Sequence, residues 1–184
     1  MKQSKRKLKI NMMDLELAFE SRDNLFDFDY FLDLETGEVI MTTGEEGQLL
    51  EKIYERYGDP ETGEVDWPTV LAQLDIPDWQ KEPLIVADRV ESGFGTRYIR
   101  IPQVESREGY HDMVAFIRTV SNPRLQSRLE RAISGRGAFR YFKDVLSDYP
   151  KERERWFRFR DERMHQRVLD WLESKGIEPI EGNG

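Results

Sequence analysis

Between residues 26 and 35 the chain alternates with period two. Phe26, Phe28, Tyr30, Leu32 and Leu34 fall on one side, and Asp27, Asp29, Phe31, Asp33 and Glu35 on the other. That is the pattern of a half-buried strand with an acidic outer face turned to water. Glu35-Thr36-Gly37-Glu38 then supplies a turn in which Gly37 is free to take positive φ, and Val39-Ile40-Met41 runs back. A hairpin over 26–42 follows, with Val39 and Met41 on the face of Leu32 and Leu34. Arg97–Ile101, stopped by Pro102, is a second strand segment.

Other segments repeat at 3.6 residues. Asn11 caps a short helix over 12–21 that points Leu15, Ala18 and Phe19 inward. Leu49, Leu50, Ile53, Tyr54 and Tyr57 form one stripe of a helix over 48–57, ended by Gly58, and Asp66 caps another through Leu74. Residues 78–91 stay open: Trp79, Ile85 and Val86 fit a helix that Pro83 would interrupt. From Gly109 onward the helical period persists, with Tyr110, Met113, Phe116, Ile117 and Val120 on the first stripe. Asn122-Pro123 starts a helix with Leu125, Leu129, Ala132 and Ile133 inward. A third, 138–147, buries Phe139, Phe142, Val145 and Leu146. The last runs from 151 to 175, with Phe157, Met164, Val168, Trp171 and Leu172 as its inward stripe and Gly176 as its stop, ahead of a frayed end. The pattern predicts an α+β fold. A basic tail (1–10) precedes an acidic part (11–104) holding a small antiparallel sheet with helices, and an Arg-rich helical part (105–178) packs on it.

DPETGEV at 59–65 repeats DLETGEV at 33–39. The flanks share nothing else, so this reads as one turn chemistry used twice. Neither copy has the later ligands of a calcium loop, and no metal or cofactor site is expected.

Composition narrows the classes. The 184 residues include 28 Lys+Arg against 36 Asp+Glu, no Cys, and 11% aromatics. The aromatics argue against disorder. The missing cysteines exclude disulfides, thiolate metal sites and a cysteine nucleophile, and favour a reducing cytoplasm. Five basic residues in MKQSKRKLKI have no apolar core behind them, unlike a secretory signal. No apolar run, Leu84-Ile85-Val86-Ala87 included, comes near the length of a membrane span. The net charge of −8 conceals a split. Residues 11–112 hold 8 basic and 25 acidic side chains, whereas 118–167 hold 14 basic, 12 of them Arg, and 7 acidic. Either the halves neutralise each other inside the fold or the basic part meets an anionic partner.

Candidate chemistry follows from that split. Gly135, Arg136, Gly137, Arg140 and Lys143 surround the start of a helix, where glycine-freed backbone N–H groups and cations suit phosphate or carboxylate. The alternative is a helix stop with cations paired locally. On the last helix Arg153, Arg160, Arg163 and Arg167 cluster beside Trp156. They form either a face for stacking on bases and holding phosphates or a set of internal partners for Asp27, Asp29, Asp33 or Glu35. His111 and His165 lie in no triad or metal spacing, and the four strand acids admit paired-carboxylate chemistry only in outline. No catalytic residue is assigned. The leading expectation is a non-catalytic binding or regulatory protein for nucleic acid or a phosphorylated ligand. An acidic protein-interaction module with internally paired arginines comes second, and a carboxylate- or histidine-based hydrolase third.

The segments YFLDLETGEV (30–39), RYIRIPQ (97–103), GYHDMVAFI (109–117), ISGRGAFRYFKD (133–144), RWFRFRDE (155–162) and DWLESKGIE (170–178) occur in that order. The combination resembles the bacterial Uncharacterised Protein Family 0158 from about residue 14 to 178. The resemblance implies the order of elements above and brings no mechanism with it.

Overall fold

A computed structural model describes residues 5–20 and 27–181. Phe26, the first four residues of the expected tail and the last three of the chain lie outside them. The fold is α+β, with eight helices and five strands among the described residues. None of those helices is long and apolar enough to cross a membrane. The chain divides into two compact units, Lys5–Pro102 with the strand residues from Glu178, and Gln103–Ile177.

In the first unit the expected basic tail is a strand, β1 (Arg6–Ile10), because Leu8 and Ile10 alternate with Lys7 and Lys9 and are buried. Its partner is β5 (Ile177–Glu181), so the expected frayed end is also a strand, while Gly176 does take the left-handed stop (φ 69°). Neither strand has a local partner, which is why neither was visible in the sequence. Helix α1 (Met12–Glu20) starts at Asn11, whose Oδ1 accepts from the Met13 N–H at 3.1 Å.

The hairpin is as expected: β2 (Phe28–Asp33) and β3 (Val39–Thr43) pair antiparallel, Leu32 opposite Val39 and Tyr30 opposite Met41. The solvated acidic face is not. A third strand, β4 (Tyr98–Arg100), pairs on the other side of β2. The order β3-β2-β4 makes β2 the central strand, and its neighbouring residues Phe31 and Leu32, on opposite faces, are both buried. Phe31 packs against Val90 and Tyr98, and Asp33 is 2% exposed. That carboxylate stays charged through its partners. Arg97 donates from Nη2 to Oδ2 at 2.7 Å and from Nε to both oxygens, while the N–H groups of Glu35 and Thr36 donate to Oδ1 at 2.8 and 3.3 Å. Burial pushes the Asp33 pKa up, but the Arg97 bond and the two backbone N–H groups outweigh it and hold the pKa below the usual range. The same carboxylate closes the turn. Gly37 (φ 80°) follows it, and a side chain at 37 would strike the Lys9 carbonyl. The 59–65 copy repeats this geometry: Asp59 Oδ1 accepts from the N–H groups of Glu61 and Thr62, and Gly63 has φ 73°.

Helix α2 (Gly44–Tyr57) begins four residues before the expected start at 48, because Thr43 and Glu46 form a capping box. Helix α3 (Trp67–Gln73) follows Asp66, whose carboxylate accepts from the Thr69 hydroxyl at 2.6 Å rather than capping the backbone. The open segment 78–91 is helix α4 (Asp78–Ser92) with Pro83 inside it. An interior proline costs about 3 kcal/mol. Burying Leu84 and Val90 offsets that at about 1.5–3 kcal/mol each. Between these helices lies an open cleft of about 890 Å³. At its wall Asp88 accepts from the Tyr54 hydroxyl at 2.6 Å and from Trp67 Nε1 at 2.9 Å. Burial and the facing Asp88 carboxylate push the Tyr54 pKa up to about 12.

The second unit holds α5 (Ser106–Ile117), α6 (Pro123–Ile133), α7 (Ala138–Ser147) and α8 (Pro150–Ser174). Its core centres on three edge-to-face rings. Phe116 and Phe142 lie 5.2 and 4.9 Å from Trp156, centroid to centroid. The inward stripe of α8 is therefore set by Trp156, Val168 and Leu172. Phe157, expected inside, is 42% exposed, as is Phe139 of α7 at 38%. Apolar and charged residues are interleaved on α8, so two stripes one residue apart fit its sequence.

Asp33→Asn should lower unfolding stability by about 1–3 kcal/mol in urea titrations. This is less than a fully buried pair would lose, because Arg97 is 38% exposed. Since the folded-state pKa of Asp33 is depressed, its contribution is complete above about pH 4 and is lost as pH falls through the folded value. The variant should flatten that acid limb, and an unchanged limb contradicts the pairing. Tyr54 has a raised pKa, so its contribution is present below about pH 10 and is lost as pH rises toward 12. Tyrosinate absorbance should show one phase near pH 12 that Tyr54→Phe removes.

Candidate functional site

Helix α6 is amphipathic enough to bury Leu125, Leu129 and Ile133 and leave its arginines outward. Asn122 fixes its start by accepting from the N–H groups of Arg124 and Leu125 at 3.0 and 3.2 Å. It ends at Ser134, and Gly137 (φ 78°) reverses the chain into α7. The left-handed position is thus Gly137 rather than Gly135, and the glycine brings no side chain to cap the first turn of α7. The Tyr141 ring lies over this turn, its Cε2 3.1 Å from where a Cβ at 137 would sit.

An open depression of about 560 Å³ lies against the turn, with Arg128, Arg131, Gly135, Arg136, Tyr141 and Asp144 among its walls. Of the residues expected here, Gly135 and Arg136 line it, while Gly137 shapes it through Tyr141. Arg140 and Lys143 do not line it. Arg140 is 82% exposed and lies 3.9 Å from Asp144, one turn on. Arg128 and Arg131, one turn apart on α6, take their place. The spacing Arg124, Arg128, Arg131 puts cations on one helix face, and that was the sequence signal for them. Arg128 is anchored, at 3.0 Å from Asp148 and 3.2 Å from the Tyr149 hydroxyl, and these bonds raise its pKa. Arg131 bonds through Nε to the Ser127 carbonyl at 3.2 Å, and Arg136 has no partner among the described residues.

The arginine face expected on α8 comes apart. Trp156 is 6% exposed and belongs to the core, so it offers no stacking surface. Arg163 Nε and Arg167 Nη2 converge on one oxygen of Asp112 at 2.9 and 2.7 Å, and Arg167 reaches Glu108 at 3.8 Å. Asp112 is 3% exposed, so these two arginines hold a buried charge in place. Arg160 lies 3.1 Å from Asp161 and over the Phe157 ring, and Arg153 is exposed. The strand acids have other partners: Asp29 pairs with Arg100, and Asp33 and Glu35 with Arg97, while Asp27 is exposed. Asp29, Asp33 and Glu35 of the strand, and Arg163 and Arg167 of α8, therefore have partners within their own units. His111 is exposed, beside the committed Asp112, and His165 is exposed on α8. Among the described residues no group of three or more His, Cys, Asp or Glu side chains is disposed to hold a metal ion.

The pattern of Uncharacterised protein family UPF0158 matches residues 71–183. UPF0158 protein PA5073 of Pseudomonas aeruginosa is 32% identical over 83 residues, which are 45% of this chain. The match spans about half of that relative's own length, 54%. No solved structure matches the chain. The family match covers α4 to β5 with both walls of the α6–α7 depression, and the chain belongs to UPF0158.

Proposed function

We propose that this chain is a non-catalytic binding protein of the bacterial cytoplasm that holds a phosphate-bearing partner in the α6–α7 depression. One observation supports this reading above the others. Three guanidinium groups border a single recess, and Arg136 among them has no partner among the described residues. A guanidinium fork matches two phosphate oxygens at once, and Gly135 leaves the backbone uncovered beside it. The unit as a whole is basic, with 16 Lys and Arg against 12 Asp and Glu. The lack of cysteine suits a reducing compartment.

A second reading places a basic protein partner on the first unit, which holds 11 basic and 24 acidic side chains. It is favoured by the cleft beside Tyr54, where Glu55, Asp59, Glu64, Asp88 and Glu91 form the walls without a lysine or arginine. A hydrolase reading has less support, since Asp33 is already saturated by Arg97 and two backbone N–H groups.

Binding to labelled single-stranded RNA and DNA should be detectable at low salt. It should weaken by about 0.7 logarithmic units per tenfold rise in salt for each phosphate neutralised. The double variant Arg131→Glu/Arg136→Glu should lose at least about tenfold in affinity with an unchanged melting temperature. Absence of any binding at low salt, or equal binding by the variant, sinks the phosphate reading.

A further inference from the structure

We infer that the α6–α7 depression takes an unpaired nucleotide of a single-stranded nucleic acid, with the base stacked on Tyr141. This rests on the phosphate reading above and specifies its ligand. Tyr141 supplies the one ring among the depression's lining residues and is 51% exposed. One edge of the ring lies against the Gly137 turn, where a Cβ at 137 would come within 3.1 Å of Cε2, so the turn backs the ring on that side. A ring backed in that way presents a face at little entropic cost, and every base has a face to meet it.

Two further features distinguish a nucleotide from a bare phosphate. The recess, about 560 Å³, is of the size that holds small organic ligands rather than one inorganic ion. Asp144 also lines it, and a carboxylate opposes an anion. Its oxygens instead complement the amino edge of a base, as an acidic side chain accepts from cytosine N4. Arg131 and Arg136 then meet the phosphate, Tyr141 the base face and Asp144 the base edge. A duplex keeps its base faces inside the stack and cannot use Tyr141, so the substrate class is single-stranded.

The test uses the full chain and two fluorescent strands, a short oligocytidylate and an abasic strand with the same number of phosphates. The oligocytidylate should bind about 5- to 150-fold more tightly than the abasic strand. Tyr141→Leu should erase that difference without weakening abasic binding, and Tyr141→Phe, which keeps the ring, should preserve it. Abasic binding also reports whether the leucine variant is folded, because the arginines act on both strands. Equal affinities for the two strands in the wild type overturn the stacking inference and leave the phosphate reading standing. Binding of neither strand at low salt removes both.

Discussion

A carboxylate taken out of water must be met by cations or N–H donors, and two acids among the described residues are buried under that constraint. Asp33 closes the hairpin turn and is held by Arg97 from the neighbouring strand. Asp112 lies within α5 and is held by Arg163 and Arg167 from α8. An unpaired buried charge costs several kcal/mol, so these arginines are fixed in place before any ligand is considered. What remains for a partner is set by subtraction. In the arginine-rich unit the cations without buried obligations include Arg131 and Arg136, and these flank one recess. Each buried acid thus draws its cations from its own unit, Asp33 from Arg97 and Asp112 from Arg163 and Arg167.

The local chemistry of the fold was legible where it depends on neighbours in sequence. Asn11 and Asn122 each place an oxygen two or three residues before the N–H groups they accept from, and both helix starts were readable from that. The D-x-E-T-G-E turn was readable twice, because an Asp side chain, two following N–H groups and a positive-φ glycine form a closed local set. The capping box of Thr43 and Glu46 is equally local, but the apolar stripe says nothing of it, and a reading from the stripe starts α2 too late.

Long-range partners were not legible. Alternation across 26–35 identifies a strand, but whether its acidic side meets water depends on a third strand some sixty residues away. Val90 of α4 and Tyr98 of β4 pack on Phe31, and Arg97 meets Asp33, so this side is buried at its end. The same limit applies to the candidate site. Arg136 was identified from glycines around it, whereas Arg128 and Arg131 join it only because α6 and α7 fold back on each other at Gly137. On α8 the arginines flank Trp156 by helical arithmetic, and that arithmetic holds. It could not choose between a ring that faces a ligand and one that meets Phe116 and Phe142.

The arginines of this unit divide into a structural set and an available set, and paired thermal melts tell the two apart. Arg163→Ala/Arg167→Ala strips Asp112 of its cations, and the account predicts a loss of about 3–5 kcal/mol, read as a melting point lower by roughly 10 °C or more. Arg131→Ala/Arg136→Ala removes no buried partner, and its melting point should match the wild type. Equal melting points for the two double variants, or a larger drop in the second, would mean that the arginines do not divide in this way.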